Sequence, residues 1–162
     1  MKGLSEKLIV SHHQNNYSGV VRRLNQIPQQ IGGLPKGAQP YQMGSPKQEE
    51  IIATNSMILH EFYFDNLGGD GKASGTIPNL ISSHGHREWE QDFRRTGMSL
   101  GGGSGWVMLI YNYRDNAVHS YWAADHTNSL AWGVPLLVMD MYEHAYAIDY
   151  GANAAGYIDA LF

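Results

Sequence analysis

Asp140 and His144 are the pair in this chain whose types and spacing invite chemistry. The run Val134-Pro135-Leu136-Leu137-Val138-Met139 before them is too short for a helix and too apolar for the surface, so it reads as a buried strand with an aspartate released at its end. A buried carboxylate is costly unless it is paired, hydrogen-bonded or bound to metal. A histidine four residues on reaches the same point from the next helical turn, and a metal ion would satisfy both groups at once. An aspartate marking a strand-to-helix boundary, followed by an unrelated helical histidine, explains the same two residues. His12, His60 and His126 also fall beside apolar runs, whereas His84, His86 and His119 have polar neighbours and read as solvated. The chain has no cysteine, which excludes disulfides, thiolate sites and a cysteine nucleophile, so any metal is held by His, Asp or Glu. Three histidines and one aspartate make a nitrogen-and-oxygen site that suits zinc, iron and manganese alike, and the absence of His-Glu-x-x-His speaks against a zinc protease.

The elements that must position these residues follow from periodicity. Ser5 is a plausible N-cap, and Leu8, Ile9, His12, His13, Tyr17, Val20, Val21 and Leu24 recur at spacings of three and four, which predicts a long first helix. Pro28 bends or ends it, and Gly32-Gly33-Leu34-Pro35 stops it. The stretch to Gly44 reads as a loop. Ser45-Pro46 then opens a second helix, with Ser as N-cap, Pro at the first helical position and Gln48 as capping-box partner, running through Ile51, Met57, His60 and Phe64 to Gly68-Gly69. A third helix is expected over about His86 to Met98. Gly101 to Gly105 is a composition break without the Lys-Ser/Thr of a phosphate loop. Trp106–Tyr111 and Val118–Ala123 read as two strands around a turn at Arg114-Asp115-Asn116, and the third strand ends at Asp140. The expected fold is α+β: an N-terminal long helical hairpin over residues 1–80, then an α/β part over 81–162 with a three-stranded antiparallel sheet.

Composition bounds the function. At 162 residues with 43% hydrophobic content the chain can bury a core, and its net charge of −4, with arginines in small pairs rather than a stripe, gives no sign of a nucleic-acid partner. No apolar run approaches spanning length, and the N-terminal residues lack a long apolar core, so neither a membrane partner nor export is expected and a cytoplasmic protein is. Eight histidines and ten tyrosines are a high count for this length and are the composition of a polar metal-site shell.

The segment Asp140-Met141-Tyr142-Glu143-His144-Ala145-Tyr146, after Pro135-Leu136-Leu137, resembles the Asp-x-Trp-Glu-His-Ala-Tyr signature of the iron/manganese superoxide dismutases. Gly103-Ser104-Gly105-Trp106 resembles that family's entry to its first strand, His60-Glu61-Phe62-Tyr63-Phe64 its second-ligand helix, and Ser5 through His12-His13 to Leu24-Asn25 its first helix. The resemblance runs in order over nearly the whole chain. It implies one iron or manganese ion per subunit, held by His12, His60, Asp140 and His144 with a solvent molecule as fifth ligand. It also implies alternate oxidation and reduction of superoxide to dioxygen and hydrogen peroxide. His126 falls where the family places a donor to that solvent, and Trp106 at an outer-shell aromatic. Glu143 corresponds to a glutamate that reaches a ligand histidine of a second subunit, which implies a homodimer with Glu143 and His144 at the interface.

The departures lie outside the ligands. A family histidine and tyrosine on the first helix are Asn16 and Val20, two tryptophans are Phe64 and Tyr142, a later tyrosine is Ala147, and a C-terminal arginine falls at Ala154. Tyr17 lies four residues after His13 and would supply the missing phenol if His13 were the ligand, but that register misplaces Leu24-Asn25, so His12 is kept. Tyr17 joins His126 and Trp106 as a candidate near the reaction. The alternative function is a metal-binding protein of the same fold with a storage or interaction role. Arg22, Arg23, Arg94 and Arg95 could steer an anionic substrate despite the negative total charge.

Overall fold

A computed structural model describes residues 3–69, 81, 88–128 and 131–162. The first helix comes in three parts: α1 (Glu6–Ser11), a π-helical stretch (His12–Tyr17) and α2 (Ser18–Gly32). It is followed by α3 (Pro40–Asn66), α4 (Trp89–Met98), β1 (Trp106–Asn112), β2 (Ala117–Ala123) and β3 (Gly133–Asp140). A 3-10 turn (Glu143–Ala145), α5 (Ala147–Tyr150) and α6 (Ala154–Leu161) complete the chain. The α+β order is the expected one. His84, His86 and the boundary between residues 80 and 81 lie in or beside stretches outside the described residues.

Ser5 caps α1 as its position predicts: its Oγ accepts from Leu8 N at 3.1 Å and donates to Asp149 Oδ1 at 2.6 Å. Its backbone N also donates to Asp149 Oδ2 at 2.6 Å, so one cap ties the first helix to the segment that follows His144. Replacing Ser5 with alanine is expected to lower stability by about 1–2 kcal/mol, the upper part of the range for a lost N-cap, read as a lower midpoint in urea unfolding.

One sequence expectation about helix boundaries is corrected. The second helix starts at Pro40, not at Ser45-Pro46, so residues 41–44 are helical and Pro46 lies inside α3. Gln42 Oε1 accepts from Gln39 N at 2.8 Å and so closes the first turn. Tyr41 and Met43 are exposed, so this turn has no buried face and leaves no apolar period to read. Pro28 does not end the first helix, which continues to Gly32.

The sheet is antiparallel in the order β2-β1-β3. β1 is central and covered on both faces. Val107 and Leu109 pack with Met139, Met141, Phe93, Tyr157 and Ile158 on one side, while Trp106, Met108, Ile110 and Val138 pack with Leu59 and Tyr63 of α3 on the other. The period of two along β3 therefore turns Val138 and Asp140 toward α3 and Met139 away from it. Leu109 pairs with Leu137 and Ile110 with Pro135, so Leu136 is the extra residue of a bulge. β3 is an edge strand, which tolerates Pro135. Its outer side is held by Asn66, whose Oδ1 accepts from Val138 N at 2.9 Å.

Candidate metal centre

His60 sits on the buried face of α3 with Ser56, Leu59 and Tyr63. Its Nδ1 lies 2.6 Å from the Ser56 carbonyl oxygen, an acceptor only, so Nδ1 carries the proton and Nε2 presents a lone pair. Asp140 is fully buried at the end of β3, and its Oδ1 accepts from Tyr142 N at 2.8 Å. That bond starts the turn that brings His144 back. A single 3-10 turn carries His144 back over the four residues that separate the pair: His144 Nε2 lies 3.1 Å from Asp140 Oδ2.

The same carboxylate oxygen lies 3.2 Å from His12 Nε2 and 3.7 Å from His60 Nε2. One donor atom from each of His12, His60, Asp140 and His144 falls within 4.8 Å of the others. Both nitrogens of His12 and Nε2 of His60 are buried without a hydrogen-bond partner. His12 Nε2 is thus near the carboxylate but not directed at it as a hydrogen bond, the arrangement of lone pairs around a common cation. Burial drives the His60 imidazole down to about 4, against the pull of the Asp140 charge. Burial pushes Asp140 up, but the contacts from His12 and His144 outweigh it and hold the carboxyl below the usual carboxylate range. Near neutral pH the set thus offers a neutral imidazole at His60 and an anionic carboxylate, the forms a metal requires.

The surrounding wall is aromatic. Trp106 is fully buried, with its ring 5.1 Å from His60 and 5.6 Å from His126. Phe64, where a tryptophan was expected, still packs at 5.0 Å on His12. His126 is brought to the same wall, its Nδ1 3.1 Å from the Tyr142 phenol oxygen and its backbone oxygen held by Asn55 Nδ2 at 2.6 Å. Burial lowers the His126 imidazole, and burial first, then the Asp140 charge, lifts the Tyr142 phenol to about 12.

The conflict between His12 and Tyr17 is resolved by backbone geometry. Over His12–Tyr17 the helix widens to π geometry, and Ser18 holds the wide turn with both its N–H and its Oγ on the His13 carbonyl, the latter at 3.0 Å. Residues five apart then share a face, so His12 is buried among the ligand set while Tyr17 lies 6.3 Å from the His60 ring and His13 stays exposed. Tyr17 Oη donates to Glu61 at 2.9 Å. Asn16 and Val20 are half-buried, and Ala147 is exposed.

Sequence reasoning missed the support behind Asp140. Tyr157 Oη donates to the Asp140 carbonyl oxygen at 2.8 Å and lies 3.2 Å from Tyr63 Oη. Tyr63, three residues after His60 on one helical face, was open to discovery by spacing; Tyr157, from the last helix, was not. The arginines expected to steer an anion are largely engaged: Arg23 pairs with Glu49, Arg94 with Glu90 and Asp159, and Arg95 with Asp92.

Residues 78–162 match the family described as iron/manganese superoxide dismutases, C-terminal domain. Over 163 residues the chain is 50% identical to the protein named superoxide dismutase [Fe] of Cupriavidus metallidurans, covering 99% of this chain and 83% of that one. It is 29% identical to superoxide dismutase [Fe] of Aquifex pyrophilus, over 100% of this chain and 80% of that one. It is 23% identical to superoxide dismutase [Mn] 1 of Halobacterium salinarum, over 98% of this chain and 80% of that one. On the family match and on half-identity over nearly its full length, the chain belongs to the iron/manganese superoxide dismutases.

Proposed function

We propose that the chain is a superoxide dismutase that holds one iron or manganese ion per subunit between His12, His60, Asp140 and His144. The observation that carries this reading is the convergence of three imidazoles and one carboxylate within 4.8 Å, with buried ring nitrogens that no protein group satisfies. The bound ion supplies the redox chemistry, in which two superoxide ions and two protons become dioxygen and hydrogen peroxide. The protein's residues prepare the site for it. The Ser56 carbonyl fixes the His60 tautomer, Asp140 contributes the negative charge, and Tyr157 anchors the backbone that carries it. Trp106, fully buried, walls the site off from bulk water, and His126, with its Nε2 buried and without a protein partner, would donate a hydrogen bond to solvent held by the ion. Tyr17, held by Glu61, is the phenol at the rim.

The helical half, residues 1–80, and the sheet half, residues 81–162, each supply two of the four ligands. We further propose a homodimer. Glu143 is exposed, and 27% of the His144 side chain is too, leaving the His144 edge away from Asp140 for the partner's glutamate. A cytoplasmic location belongs to the same reading and is checked by cell fractionation. No helix among the described residues is long and apolar enough to cross a membrane.

The purified protein is expected to suppress superoxide-driven dye reduction in proportion to its iron or manganese content and to sediment as a dimer. Stoichiometric metal without suppression would favour the storage or interaction role instead.

A further inference from the structure

We propose that Tyr142 is a positioning residue that holds His126 as the tautomer protonated on Nε2, so that His126 faces the metal centre as a hydrogen-bond donor. The inference rests on the reading of His126 as the donor to coordinated solvent, and it names what makes His126 fit for that role.

His126 is fixed from three sides. Asn55 holds its backbone oxygen at 2.6 Å, the Tyr142 ring stacks on its ring at 5.0 Å and 25°, and Trp106 meets it edgewise at 5.6 Å. Its two nitrogens have opposite surroundings. Nδ1 lies 3.1 Å from Tyr142 Oη, while Nε2 is buried without a protein partner.

A neutral imidazole has one N–H, and the bond made by one nitrogen decides the state of the other. Between a neutral phenol and a neutral imidazole the phenol is much the stronger proton donor, and the bare ring nitrogen is a better acceptor than a phenol oxygen. The phenol therefore donates to Nδ1, which leaves the proton on Nε2. A histidine without this partner would divide between two tautomers, one of which points a lone pair where a donor is needed. Tyr142 stands where the family signature carries tryptophan, and an indole has no hydroxyl to place on Nδ1. The departure at Tyr142 and the histidine at position 126 thus form one functional pair.

The test uses the full chain loaded with zinc, a diamagnetic ion suited to the same donor set, and labelled with nitrogen-15 at histidine. Loss of one set of ring signals in His126→Gln assigns His126. The expected wild-type spectrum has a protonated Nε2 and a hydrogen-bonded, unprotonated Nδ1, and Tyr142→Phe is expected to give averaged signals from both tautomers. In the iron-loaded protein Tyr142→Phe is expected to lower dismutation about tenfold, the scale of a lost outer-shell contact. In a His126→Gln background, where the amide donor needs no tautomer, the same change is expected to alter activity less than about twofold, because coupling vanishes when the partner is absent. A wild-type proton on Nδ1, or an unchanged nitrogen pattern in Tyr142→Phe, would overturn the proposal. If Tyr142→Phe does not fold, the wild-type spectrum alone decides. A chain with the expected spectrum but no dismutation would sink the dismutase reading and leave the tautomer assignment standing.

Discussion

Replacing Asp140 with asparagine is expected to strip the chain of its metal and its dismutation together. Asp140 is fully buried, and its Oδ2 is the atom on which His12, His60 and His144 converge at 3.2, 3.7 and 3.1 Å. It is also the one carboxylate in the ligand group, so the substitution removes all of that group's negative charge. The amide keeps the shape, and its oxygen can still accept from Tyr142 N, so the turn to His144 survives and the variant folds. The lost ligand charge is expected to reduce metal affinity more than about 100-fold, beyond the upper end for a disturbed outer-shell contact. Elemental analysis after dialysis reads the loss directly. A variant that keeps one ion per subunit and normal activity would remove Asp140 from the ligand set.

Gly105→Ala is expected to be the most damaging single methyl addition around the sheet. Gly105 has φ +141°, which L side chains rarely adopt, and an added Cβ would meet the Ala123 backbone oxygen at an impossible distance and the Leu100 side chain at 3.1 Å. The neighbouring atom is backbone, so it cannot swing away as a side-chain end would. Gly105 O also accepts from Met141 N at 2.9 Å, which joins the entry of β1 to the residue after Asp140. Strain of about 1–3 kcal/mol and overpacking of about 1–3 kcal/mol add, giving an expected loss of roughly 2–6 kcal/mol in denaturant unfolding. Because the displaced strands carry Trp106 and Asp140, metal occupancy should fall with stability. Gly97→Ala is the contrast. Its added Cβ would press chiefly on the Met139 Cε, the end of a flexible side chain, and should cost less.

How much of this was legible in the sequence depends on whether a residue's role is written in local spacing. Asp140 ends an apolar strand four residues before His144, so local pattern singled out that pair, and His60 stood among the apolar residues of a helix, but the four-residue ligand set came from the resemblance to the family. The strands over residues 106–112 and 117–123 were legible to within a residue from local pattern as well. The wide turn at His12–Tyr17 was not, because no side-chain pattern distinguishes a π turn from an α turn, and the choice between His12 and His13 as the residue that faces the site looked like a conflict of register. The start of α3 at Pro40 was hidden by its exposure on all sides. Contacts between distant parts of the chain, such as Asn66 on Val138, Tyr157 on Asp140 and Asn55 on His126, require the fold to be assembled first. The departures at Phe64 and Tyr142 looked like losses in the sequence. In three dimensions both rings remain in the wall, and Tyr142 gains a hydroxyl contact with His126.

The central claim, that these four side chains hold the ion on which activity depends, is tested most directly by stripping the protein with chelator and titrating iron or manganese back. Dismutation should rise linearly and break at one ion per subunit. The unfolding temperature should rise over the same range, because an ion that binds only the folded chain stabilises it by mass action. Full dismutation in the stripped protein, or a chain that takes up no ion and gains no stability, would contradict the account.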